Sequence, residues 1–135
     1  MSDPSEKLQT AIVARLKGDV ALSASVAKRV YDEVPEKAVF PYLTMGSGQV
    51  LGDDDECVEQ SEVTYQLHVW TQPPFAGVAM KRIAGQVRAA MKAPLAVAGF
   101  DVLVQEFVQS QWLDDPDGQT RHAVVEFRFV IVHTS

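Results

Sequence analysis

Apolar residues recur along this chain with two periods, one helical and one extended. Leu8, Ile12 and Leu16, with Ala11 beside them, fall at helical spacing and form a single stripe. Asp3 is expected as the N-cap of that first helix, with Pro4 at its first position and Glu6 three residues after the cap. Gly18, after Lys17, is expected to stop it. A second stripe of Ala79, Ile83, Val87 and Met91, flanked by Ala90, predicts a helix over 76–92 that Pro94 ends. Elsewhere the period drops to two. Val63, Tyr65, Leu67 and Val69 share one face of a strand, and Thr64, Gln66, His68 and Trp70 share the other. Ala123, Val125, Phe127, Phe129 and Ile131 alternate in the same way near the end of the chain.

The segments between these stripes are read from their turn residues. Small residues over 19–28 predict an irregular or short helical connection. Proline fixes its own φ and pushes the preceding residue toward extended geometry, so Phe40-Pro41 opens a strand over 40–46, after a short one over 29–32. Gly46 and Gly48 are expected to loosen the chain, and 51–56 reads as an acidic loop. Gln72, Pro73 and Pro74 terminate the central strand. Strands over 102–112 and 120–133 are joined by Asp114, Asp115, Pro116, Asp117 and Gly118, with proline and glycine where a type I turn wants them. The order α-β-β-β-α-β-β predicts an α+β fold. Its sheet of about five strands is antiparallel or mixed, with two α-helices packed on one face and a long C-terminal β-hairpin. At 135 residues without a linker or repeat, 1–135 is expected to be one domain.

Charge and composition narrow the class of function. A net charge of −6 opposes a grip on phosphates, so no specific nucleic-acid readout is expected. No apolar run approaches the ~20 residues that span a bilayer, and no membrane partner is expected. The acidic start lacks the features of a secretory signal. One cysteine, Cys57, excludes an intrachain disulfide, and together these features predict synthesis in the cytoplasm.

Catalytic chemistry finds no foothold. There is no Gly-x-Ser-x-Gly, no phosphate-binding loop, no His-Glu-x-x-His and no paired-cysteine site, so neither an enzyme nor a cofactor is expected. His68 and His122 are able to meet across a sheet face and share a metal, but zinc wants at least a third protein ligand. They are read as partly exposed strand histidines. Asp53, Asp54, Asp55 and Glu56, with Glu59 and Glu62, offer the oxygens that Ca²⁺ or Mg²⁺ prefers, yet their spacing is not that of an EF-hand loop. A solvated loop is the preferred reading. Asp114, Asp115 and Asp117 are explained by the turn, and acidic neighbours disfavour the Cys57 thiolate.

Charge is unevenly distributed. The second predicted helix carries Lys81, Arg82, Arg88 and Lys92 without an acid, whereas 51–62 carries six acids without a base. Each is explained either by a solvated surface or by pairing of unlike faces between neighbouring copies, which head-to-tail symmetry closes into a ring. Phe75, Trp70 and Trp112 lie near strand or turn ends, where they either cap the core or anchor a contact. The subunit or partner contacts are therefore sought at Asp53, Asp54, Asp55, Glu56, Phe75, Lys81, Arg82, Arg88, Lys92 and Trp112.

Three segments in order carry a resemblance over most of the chain. They are 29–46 with its Phe40-Pro41-Tyr42 strand entry, Leu67-His68-Val69-Trp70-Thr71, and the Asp115-Pro116-Asp117-Gly118 turn leading into Val124 to Phe129. Together they resemble the tail terminators, small tail-completion proteins of long-tailed phages, prophages and gene transfer agents. The resemblance implies a structural virion protein made in the bacterial cytoplasm. It implies a homo-hexameric ring on the head-proximal end of the tail tube, contacting the tail tube protein and the head–tail connector proteins. The runner-up is a small cytoplasmic dimeric adaptor or ligand-binding α+β module without catalysis.

Overall fold

The two periodicities become two layers. The computed structural model describes residues 3–55 and 58–134, in the order α1 (Ser5–Gly18), α2 (Val20–Val26), β1 (Val30–Tyr31), β2 (Tyr42–Asp55), β3 (Val58–Thr71), α3 (Ala76–Ala90), β4 (Phe100–Asp114) and β5 (Arg121–His133). One sheet runs β1-β2-β3-β5-β4; β1 is parallel to β2 and every other pair is antiparallel. The mixed α+β architecture matches the expectation. Val63, Leu67 and Val69 from β3 join Ala123, Val125, Phe127, Phe129 and Ile131 from β5 and the buried sides of all three helices in one core. Both alternating stripes therefore face the helices. The opposite face carries Gln66, His68, Trp70, Glu126 and Arg128, which stay only partly covered.

The helix ends depart from expectation in instructive ways. The Pro4 carbonyl accepts the Leu8 amide, so Pro4 is the cap residue, while the Asp3 carboxylate accepts from the Ser5 N–H one position earlier than expected. Gly18 stays helical. Asp19 makes the break by turning extended (ψ 127°), and its carboxylate then accepts the Leu22 N–H as the cap of α2. The 19–28 connection is thus a true helix that buries Leu22 and Val26. In α3 the buried set is Ala76, Met80, Ile83, Ala84, Val87 and Ala90, so Ala79 sits at the margin of the stripe and not within it. A four-residue repeat drifts against a 3.6-residue turn, which moves Met80 into the place expected of Ala79.

The largest correction lies in the acidic region. β2 does not end at Gly46, and 51–55 is strand, not loop. A bulge between Met45 and Gly48 inserts one residue and lets β2 continue against β3 to the pair Asp55↔Val58. Both glycines are needed there. A Cβ on Gly48 would lie 2.2 Å from the Thr64 carbonyl oxygen, and one on Gly46 would lie 2.1 Å from the His68 ring. The 15 residues of α3 reach about 22 Å, against roughly 46 Å for the 14 residues of β3. The β2–β3 hairpin consequently outruns the helical layer as an arm, exposed from Ser47 to Gly52.

The other hairpin follows the sequence closely. Gly118 N–H donates to the Asp115 carbonyl with Gly118 at φ 74°, and Asp117 accepts from the Gln119 and Thr120 amides. Those bonds, the Thr120 hydroxyl first, hold the Asp117 carboxyl below the usual carboxylate range. The edge strand β4 breaks its register with β5 twice, between Val102 and Val104 and between Phe107 and Gln109.

Candidate interaction site

The helical layer leaves one flank of the sheet open. α3 lies over β3 and β5, and only its side meets β4. Along that side a groove of about 390 Å³ is lined by Gly85, Arg88, Ala89, Met91, Lys92, Gln105, Phe107 and Phe127. Its shape is fixed by polar ties to the end of α3. Gln105 donates to the Met91 and Ala93 carbonyls at 2.7 and 2.8 Å and accepts the Leu95 N–H at 2.9 Å. From the far side Arg15 of α1 donates to the Ala90, Ala93 and Pro94 carbonyls. Both residues satisfy carbonyls that a helix C-terminus leaves without partners.

Cations along this flank rest on aromatic rings. The Arg88 guanidinium lies 3.9 Å from the Phe107 ring centre, and Lys81 Nζ lies 4.7 Å from that of Trp112. Such contacts hold a side chain in place without neutralising its charge. Among the described residues no carboxylate forms an ion pair with Lys81, Arg82, Arg88 or Lys92. Trp112 remains 60% exposed, so the flank offers cations beside an uncovered ring.

The arm is the second feature. Val50 and Leu51 are exposed on it, and the register sets Asp54 opposite Glu59. Glu62 is different, because Arg128 donates to it at 2.8 Å and to Glu106 at 2.9 Å. It therefore leaves the set of six acids expected to await a partner. Glu56 and Cys57 lie outside the described residues.

The open sheet face holds a ladder of rings. Tyr42, Trp70, His122 and His68 stack in sequence, with Trp70 and His122 only 3.7 Å apart between centres and 12° from parallel. Trp70 donates to the Thr44 hydroxyl. His68 Nδ1 and His122 Nε2 share a hydrogen bond, so one ring nitrogen must donate and the other accept. Burial, then the neighbouring His68, pushes His122 down to about 4, and burial alone lowers His68. The two histidines thus meet as expected, and among the described residues no third His, Cys, Asp or Glu joins them to hold a metal.

The expected site residues divide among several places. Lys81, Arg88, Lys92 and Trp112 come together on the α3–β4 flank, while Arg82 faces a separate cleft with Phe40, Pro41, Pro73 and Pro74. Phe75 caps α3 in a left-handed conformation (φ 60°) and is 81% exposed. Asp53, Asp54 and Asp55 belong to the β2 side of the arm. Sequence reasoning missed Gln105, Arg15 and Phe107. A polar or aromatic residue, on β4 or on α1, carries no local sign of a helix end or a cation that only the fold brings to it.

Known proteins agree with this architecture along nearly its whole length. The family model for tail completion protein gp17 matches residues 10–132. Tail completion protein gp17 of Bacillus phage SPP1 is 27% identical over 128 residues, covering 94% of this chain and 93% of that protein. A chain in the virion of the native gene transfer agent particle has the same fold, with a TM-score of 0.88 at 22% identity over 98% of this chain and 99% of that one. The structure of the bacteriophage SPP1 gp17 protein gives a TM-score of 0.62 at 25% identity over 93% and 88%.

Proposed function

The chain belongs to the tail completion protein gp17 family and is a structural tail protein, and we propose that it closes a finished tail by forming a ring on the head-proximal end of the tube. The observation that carries this reading is the span of the family match, which takes in the core, the arm and the α3–β4 flank together. Six copies in a closed ring would stop further tube growth below and present a new surface to the connector above. Contacts with the tail tube protein and the connector would then be made by shape and by many small contacts, without catalysis. An overall charge of −6 suits a channel through which DNA slides, since phosphates are repelled and not held. The protein would be made in the bacterial cytoplasm and end in the virion tail.

Native mass spectrometry over a range of concentrations, with negative-stain images of the largest species, tests the ring. Six-subunit rings with a central hole, or labelled copies at the head-proximal tip of tails, are the expected result. A stable dimer that never binds tails would sink the reading and favour a small adaptor.

A further inference from the structure

We propose that the α3–β4 groove is the seat for the acidic β2–β3 arm of a second copy of this chain; the inference rests on the ring reading above. Two surfaces in one subunit are incomplete in complementary ways. The groove presents Arg88 and Lys92 with no intrachain ion pair among the described residues, and Arg88 rests on the Phe107 ring in its wall. The arm leaves the helical layer with exposed Val50 and Leu51 and sets Asp54 opposite Glu59. β5 accompanies β3 as far as the pair Gln60↔Val132, so the sheet itself is continuous there and it is the apolar side chains of β2 that lack a cover. Seating the arm covers Val50 and Leu51 and sets Arg88 and Lys92 against a segment, 53–59, that carries five acids and no base in the sequence.

The geometry makes the contact head to tail. No arm residue beyond Val63 lines the groove, so each subunit presents one seat and one arm on separate surfaces. A contact between unlike surfaces repeats from copy to copy and ends only when the rotation closes on itself. Occupation of the groove by the tube protein is the competing outcome that the test must separate.

The chain supplies its own reporter. Cys57, between Asp55 and Val58 in the sequence, is its one cysteine, and a Cβ on Gly85 in the groove wall would meet nothing within 4 Å. Tails carrying Gly85→Cys are treated with a short bismaleimide and run under denaturing conditions. A ladder of covalent multimers of this chain is expected, and it should be absent for Ala21→Cys on the exposed side of α2. Labelled copies present on tails but without a ladder, or linked to another protein, overturn the inference and leave the ring reading standing. Absence of the chain from tails overturns both.

Charge reversal gives an independent arm to the test. Lys92→Glu and Asp54→Lys are each expected to lower the ring fraction about tenfold, and the double variant to restore most of it. Singles that assemble normally, or a double no better than the singles, would overturn the proposal.

Discussion

At the scale of single residues, the bulge and the histidine pair are the sensitive points. Gly48→Ala forces a Cβ into the Thr64 carbonyl and is expected to cost about 1–3 kcal/mol, the range for overpacked sites. Gly52→Ala meets nothing within 4 Å and should be neutral or slightly stabilising. Urea unfolding of both, with unchanged slope, checks the contrast. His122 titrates at about 4 in the fold against about 6.5 in an unfolded chain, so the native state binds fewer protons between those values. Its contribution is full above about pH 6.5 and is lost as pH falls through about 4. Replacing it by phenylalanine keeps a ring beside Trp70 and should flatten the fall of the melting temperature from pH 7 to 4.5; an unaltered slope would place the acid sensitivity elsewhere. The meeting of His68 and His122 was legible from strand alternation. The stack with Tyr42 and Trp70 was not, because it depends on a three-strand register that no local pattern encodes.

At the scale of elements, chemistry local to a few residues was readable, and chemistry supplied by a neighbour was not. The β4–β5 turn was visible in Asp115-Pro116-Asp117-Gly118, since each residue type suits its own dihedral angles or bonds. Asp117→Ala removes the acceptor for two amides and a hydroxyl and is expected to lower the melting temperature slightly, with the fold intact by circular dichroism. The arm shows the opposite case. Glycine and aspartate are depleted in strands, so 51–56 reads as a loop until β3 is seen to pair with β2 from Gly48 to Asp55. α2 was half legible for a similar reason. Its small residues carry little helical signal, and the decisive device is the Asp19 cap that also separates it from α1.

At the scale of the whole molecule, the uneven distribution of charge was legible in the sequence, but its division into partnered and unpartnered groups was not. Glu62 is taken by Arg128 within the chain, while Arg88 and Lys92 keep their charge at an open groove. If arm and groove hold copies together, raising the ionic strength from about 0.05 to about 0.5 M should shift rings toward monomers, because screening shortens the reach of exposed charges. Sedimentation velocity at both salts measures it, and insensitivity would mean that apolar contacts dominate assembly.

The interruptions in the strand register have a further consequence for the supply of subunits. β4, at the sheet edge, is broken twice, and its extra residues Leu103 and Val108 are exposed. A foreign strand laid along β4 meets both interruptions, which shortens each run of matching donors and acceptors. Copies accumulated ahead of demand are thereby hindered from zipping into fibres through the β4 edge, which keeps the surplus available one molecule at a time.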